Sequence, residues 1–381
     1  MRLYENEDLD KVVLHNSINL IAAGLLEKDR LIQKNPEHYP YSLQLMQGIN
    51  IFLQQSLKAG KADDRIWNYA DEASFFENFL KKPVSEWFFL WDPDVVRFSN
   101  IMEEPYYNCG AFFCNDEVSD DCIEYLQAQD HDLTSGTEQR EVYNILKGFE
   151  QEEYVDVRKF IIEHPIAAVE DIVDLKKTYI ENPEVSKVLN YAYESFEGTA
   201  YRCPVCGWTL RDDGHSYRCH SYRCTRIRPI LDESMVVNGS VGDIVRLRKG
   251  VMRYICAPGK LELQIEKYCE KNGLSHSLWP MKDHFDIGIE FPDKKIWQID
   301  AKDYGNPFLL RNKVKDDMAF CNIEMEKGFY VVPDERVREF KRYTKIVNSG
   351  LKGKGVTCIS FHQLKSAIRK RLEECHVSQK N

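Results

Sequence analysis

The stretch from Asp286 to Lys302 reads DIGIEFPDKKIWQIDAK and constrains the chain more than any other. Two short apolar runs flank the turn-forming sequence PDKK, so they are expected to pair as a β-hairpin. Side chains alternate along a strand, which places Gln298, Asp300 and Lys302 on one side of the second strand and Ile299 and Ala301 on the other. Asp286 sits at the start of the first strand, within reach of that polar side. Two carboxylates beside one amine form a site for a hard divalent cation with a fixed positive charge next to it. This is the equipment of phosphodiester hydrolysis: oxygen ligands for Mg²⁺ or Mn²⁺, a metal that activates water, and a lysine that steadies the nucleophile or the developing charge.

The flanking elements extend the pattern. A helix is expected over 259–272, with Leu261, Ile265 and Tyr268 at helical spacing and Pro258 just ahead of it. After Lys302 the pattern reads helix (307–318), strand (328–332), helix (334–347), strand (356–361) and closing helix (362–374). The DIGIE…IDAK motif and this element order resemble the PD-(D/E)XK, restriction-endonuclease-like nuclease superfamily over about the last 125 residues. The resemblance implies an αβββαβ core, metal-binding roles for Asp286 and Asp300, and a catalytic role for Lys302. It also implies a glutamate from the first helix. Glu262 and Glu266, one turn apart, can each supply it, with Glu262 preferred.

A second motif lies in YRCPVCGWTLRDDGHSYRCHSYRCTRIRP, residues 201–229. Cys203 and Cys206 stand two residues apart, and Cys219 and Cys224 four apart after a twelve-residue gap. Paired thiolates at this separation suit one structural, tetrahedral Zn²⁺ in a zinc ribbon, the glycine of CPVCG allowing the tight turn. His215 or His220 could replace one thiolate of the wider second pair. Arginines crowd this segment, and Arg218, Arg223, Arg226 and Arg228 are candidate phosphate contacts.

Charge divides the chain. Residues 1–200 carry 18 Lys/Arg against 38 Asp/Glu, a net of −20, whereas residues 201–381 carry 33 against 23, a net of +10. A nucleic acid is drawn to the second part and repelled by the first. No run of about twenty apolar residues is present to span a bilayer, no secretory leader is recognisable, and unpaired cysteines fit a reducing cytoplasm. The first part is expected to be mainly helical, over 9–31, 41–57, 73–80, 142–149, 153–163, 168–179 and 183–196. The aromatic stretch 87–113 reads as core, and Cys109, Cys114, Cys122 and His131 match no common metal knuckle. No phosphate-cradling glycine loop is found, which argues against a nucleotide-driven motor.

The expected architecture is therefore multidomain α + α/β: an acidic helical domain (1–198), a zinc ribbon (199–231) and an αβββαβ nuclease domain (232–381). The combination resembles the nuclease encoded beside a prokaryotic Piwi-like protein and a helicase in three-gene conflict islands. That resemblance implies an anti-phage or mobile-element defence role, with an Argonaute-like protein and a helicase as partners. DNA is the expected substrate. A silent nuclease-fold binding module and an RNA-directed nuclease are the alternatives, because nothing in the motif distinguishes deoxyribose from ribose.

Overall fold

The helices Lys11–Lys34 (α1) and Leu43–Lys58 (α2) pack with glycines at their crossing: a Cβ on Gly24 would collide with the backbone nitrogen of Leu45. The computed structural model describes residues 11–34, 42–59, 64–114, 117–129, 138–196, 198–212, 217–219, 224, 236–239, 243–317, 320 and 325–378. They separate into two units, 1–132 with 308–312, and 133–307 with 313–381.

In the first unit, Phe52 of α2 is surrounded by Phe75, Phe79, Trp87, Phe88 and Trp91, with ring centroids 5.8–6.5 Å away. The aromatic stretch is thus core, as its composition predicts, although Phe89 and Phe98 remain exposed. A helix Asp120–Ala128 (α3), capped by Ser119, follows the two-residue strands Phe113–Cys114 (β1) and Glu117–Val118 (β2). Cys109 and Cys122 are buried thiols belonging to no metal-binding group among the described residues; His131 lies outside them.

The second unit starts with helices Glu138–Lys147 (α4) and Gln151–Glu163 (α5). Strand Ile166–Ala168 (β3), helices Val169–Thr178 (α6) and Pro183–Ala192 (α7) and strand Tyr193–Ser195 (β4) follow. The helix expected to reach 196 ends at Ala192, because the next residues hydrogen-bond as β4 to Ile244–Leu247. Strands Gly198–Tyr201 (β5) and Val236–Gly239 (β8) pair, as do Arg211–Asp212 (β6) and Tyr217–Arg218 (β7). Ile244–Leu247 (β9) pairs with both β3 and β4, so these residues build one small sheet from segments on either side of the cysteine motif.

The main sheet has five strands in sequence order. These are Ser275–Leu278 (β10), Ile287–Glu290 (β11), Ile296–Ala301 (β12), Lys327–Val332 (β13) and Val356–Ser360 (β14). The first three are antiparallel neighbours and the last two join in parallel, each parallel step taking a helical crossover. Trp297 and Ile299 of β12 enter a core shared with Ile287, Ile289, Phe329 and Val331, with Ala257–Lys271 (α8) and with the closing helix Phe361–Ser378. Buried residues of α4, α5 and α7 belong to the same core. The expected helix 334–347 is two pieces, Asp334–Glu339 and Tyr343–Ser349. Arg342 between them has φ 66°, a left-handed turn that resets the axis.

Helices α5 and α8 meet at Gly259, where an added Cβ would collide with Ile162 Cδ1. Gly259→Ala should therefore lower stability by about 1–3 kcal/mol. Ile162→Val, which removes the clashing methyl, should recover part of the loss in urea-unfolding measurements of the double variant.

Candidate active site

Helix α8 begins with Pro258 near its first turn and buries Leu261, Ile265 and Cys269 along one stripe. Glu262 and Glu266 are also buried, which is costly for carboxylates unless partners meet them. Different cations do so. Arg158 of α5 bonds Glu262 Oε2 at 3.1 Å, and the Trp279 indole N–H donates to the same oxygen. Glu266 instead pairs with Lys159 at 2.9 Å and groups with Glu270 and His276. The two glutamates thus face separate surroundings, and only Glu262 adjoins the aspartates.

Asp286 precedes β11 and is tied in on three sides. Its N–H donates to the Ile299 carbonyl (3.0 Å), its carbonyl accepts from Trp279 N–H (2.7 Å), and its Oδ2 accepts from Ala301 N–H (2.5 Å). Asp300, near the end of β12, is buried and accepts from the Lys302 ammonium at 2.6 Å. Lys302 N–H donates to the Val331 carbonyl (2.8 Å), fixing its backbone against β13. The hairpin register therefore brings Asp286, Asp300 and Lys302 together. Pairing of Ile287 with Ile299 sets the two aspartates across from one another.

Further residues complete the pocket and were not singled out from sequence. Asp283 forms an ion pair with Arg158 Nη1 (2.7 Å) and accepts from the Tyr143 hydroxyl. Arg158 also donates to the Tyr154 hydroxyl (2.7 Å) and lies over the Trp279 ring, 4.3 Å from its centroid. One signal for Arg158 was present: it interrupts the buried stripe Tyr154, Val157, Ile161 of an amphipathic helix. Asp283 had a weaker one in DHFD, an acid three residues before Asp286.

The electrostatics follow. Burial, then the charges of Glu262 and Asp300, push the Asp286 carboxyl well above its ordinary range. Burial also raises Glu262, with Arg158 opposing. Asp283 is half-buried, and although desolvation pushes the other way, Arg158 and Tyr143 hold it below the usual range. Lys302 is raised: burial works against its ammonium, but Asp300 and Asp286 outweigh it. Four carboxylates face two cations, an oxygen-rich surplus of negative charge that suits Mg²⁺ or Mn²⁺. Among the described residues, Glu262, Asp286 and Asp300 are not drawn into a three-donor group within 4.8 Å, as the cysteines are; Lys302 and Ala301 N–H occupy some of their oxygens.

The sulfurs of Cys203, Cys206, Cys219 and Cys224 lie within 4.8 Å of one another, all buried. Gly207 (φ 75°) closes the first turn, with Gly207 N–H bonded to the Cys203 carbonyl and Cys203 N–H to the Trp208 carbonyl. Lys260 of α8 donates to the Cys206 carbonyl, so the cysteine turn rests on the helix two residues before Glu262. Arg218 is exposed on β7; Arg223, Arg226, Arg228, His215 and His220 lie outside the described residues.

Residues 259–376 match the family model described as "REase associating with pPIWI_RE". The match covers α8, the five-stranded sheet and nearly all of the closing helix, and so holds Glu262, Asp283, Asp286, Asp300 and Lys302 but neither Arg158 nor the cysteines. A restriction-endonuclease-like segment points to a nuclease-type role linked to pPIWI systems. No curated protein and no solved structure matches the chain. Among the described residues, no helix is long and apolar enough to cross a membrane.

The raised Asp286 carries a stability prediction. The folded protein keeps that proton at a pH where the unfolded chain has lost it. The associated stability is therefore present below the ordinary aspartate range and lost as pH rises through the raised value. Asp286→Asn keeps an acceptor for Ala301 N–H and removes the buried charge. In EDTA its Tm should equal that of the wild type near pH 4 and exceed it at pH 8 by on the order of 2–4 °C, the shift that about 1 kcal/mol gives in a domain of this size. Added Mn²⁺ should raise the Tm of the wild type alone.

Proposed function

We propose that the chain is a metal-dependent nuclease of the PD-(D/E)XK type that hydrolyses phosphodiester bonds in DNA. The observation that carries this reading is the convergence of Asp286, Asp300 and Lys302 at one hairpin, inside the segment that matches a restriction-endonuclease family. Glu262, Asp286 and Asp300 would hold Mg²⁺ or Mn²⁺, and the donor set fits such an ion: hard oxygens in negative excess, two of them on adjacent strands. When bound, the ion would lower the pKa of its water and neutralise charge on the phosphate.

The chain's own groups do the rest. Lys302 stays an ammonium across the working pH range, held by Asp300 and Asp286, and so can donate to a phosphate oxygen without itself needing a base. Asp286 is oriented by Ala301 N–H, which leaves its other oxygen for a ligand. Asp300 is shared between Lys302 and the pocket.

The buried four-cysteine group would bind one structural Zn²⁺ as a zinc ribbon, since four protein sulfurs leave no open position for a substrate. Net positive charge over 201–381 and exposed Arg218, with Arg223, Arg226 and Arg228, would gather the DNA backbone. The family description supports a place beside a pPIWI (Piwi-like, Argonaute-like) protein; a helicase partner and a role in a cytoplasmic bacterial defence system rest on the sequence resemblance alone.

Asp300→Ala and Lys302→Ala should each reduce Mg²⁺-dependent cleavage by about 10²–10³-fold. DNA affinity, measured by fluorescence anisotropy, should stay within about threefold, because phosphate contacts away from the pocket dominate it. Single- and double-stranded DNA and RNA should be compared in parallel. Cleavage surviving in both variants would remove the pocket from the mechanism; a wild type inert on every substrate, with both partner proteins supplied, would favour a binding module. Metal analysis of protein purified without chelators should find one zinc per chain, and Cys203→Ser should abolish it. Because the cysteine turn rests on Lys260, that variant should also slow cleavage rather than weaken DNA binding alone.

A further inference from the structure

Arg158 stands 104 residues before Glu262 in the chain and outside the segment that resembles a nuclease family, yet its guanidinium is bound to the pocket's glutamate. We propose that Arg158 is a positioning residue of the active site, which orients Glu262 by holding one carboxylate oxygen and leaves the other for the metal. The proposal rests on the nuclease reading above and adds to it a group from the helical region.

The geometry carries it in three steps. First, both contacts to Glu262, from Arg158 Nη2 (3.1 Å) and from the Trp279 indole N–H, fall on Oε2; among the described residues no hydrogen bond reaches Oε1. A carboxylate gripped at one oxygen by two donors has its rotamer fixed and its second oxygen aimed, which is what outer partners do for metal-ligating groups. Second, Arg158 is itself immobilised. Nη1 forms an ion pair with Asp283 (2.7 Å) and donates to the Tyr154 hydroxyl (2.7 Å), and the guanidinium carbon lies over the Trp279 ring, 4.3 Å from its centroid. A planar fork with five fixed donors suits this task, whereas a lysine offers a point charge. Third, the ring and backbone that complete the clamp are held from the same side. Gln151, at the start of α5, donates to the Trp279 carbonyl (2.9 Å) and accepts from Lys282 N–H (3.0 Å). Trp279, Met281, Lys282 and Asp283 all have φ between 45° and 76°, a left-handed run that only such outside support sustains.

A purely structural salt bridge would stabilise the fold without tuning the metal, so the test must separate the two. Asp300-dependent Mn²⁺ affinity, read by electron paramagnetic resonance with the Asp300→Ala signal subtracted, and kcat and KM for a DNA substrate would be measured for Arg158→Met, Arg158→Lys and Trp279→Phe. Each would also be made in a Glu262→Gln background. Arg158→Met should weaken Mn²⁺ binding and lower kcat by about 10–100-fold with KM unchanged, and Arg158→Lys should recover part of both. Trp279→Phe, which keeps the ring and removes the donor, should lose less in the same direction. In the Glu262→Gln background Arg158→Met should cost nothing further. A folded Arg158→Met with wild-type affinity and kcat would overturn the proposal, and so would equal losses in both backgrounds. Should Arg158→Met fail to fold, unchanged Mn²⁺ affinity in Trp279→Phe would overturn it instead. If wild type and Asp300→Ala bind Mn²⁺ alike, the nuclease reading itself fails, and the assignment of Arg158 with it.

Discussion

Everything in the pocket depends on the cost of burying carboxylates. Glu262, Asp286 and Asp300 are each at most 6% exposed, in surroundings where an unpaired charge costs several kcal/mol. The chain meets that cost unevenly. Glu262 and Asp283 share Arg158, Asp300 has Lys302, and Asp286 has only a backbone N–H, so it alone is pushed strongly toward the protonated form. A pocket neutralised everywhere would have no affinity for a cation. One neutralised nowhere would not fold. The distribution seen here leaves a deficit at the centre of the hairpin, where a divalent ion would be most useful.

Local periodicity made much of this legible in the sequence. The alternation in IWQIDAK placed Asp300 and Lys302 on one side, and the turn at PDKK brought Asp286 to them; both readings depend on residues within seventeen positions of each other. The helices at Gln151–Glu163 and Val169–Thr178 were legible for the same reason. What remained hidden was set by distant partners. Nothing local to α8 separates Glu262 from Glu266, since both occupy its buried face; their different surroundings come from Arg158 and Lys159, adjacent on α5, which point one cation at each. Tyr193–Ser195 continues a helical pattern in sequence but becomes a strand because Ile244–Leu247, some fifty residues on, offers it a ladder. The break at Phe340–Arg342 likewise has a distant cause, Tyr343 reaching the Tyr304 carbonyl at 2.6 Å.

The cysteine group shows how a stabilising element can also be a mechanical one. Trp208, just after the first pair, donates its indole N–H to the Leu247 carbonyl (3.0 Å), and Lys260 caps the Cys206 carbonyl from α8. The turn is therefore anchored at two points, one on the small sheet and one on the helix that carries Glu262. A metal bound by the four sulfurs would add its binding free energy to that of the fold.

The shared core has a consequence for how such a protein can evolve. Residues that match a nuclease family begin at 259, but two of their acids are neutralised by an arginine at 158, and β9 at 244–247 is stitched between strands at 166–168 and 193–195. The recognisable module is accordingly not a portable one. Recombination that moved the matched segment onto another scaffold would leave the buried Glu262 and the half-buried Asp283 without their counter-ion, so inheritance should favour transfer of the whole stretch from α4 onward.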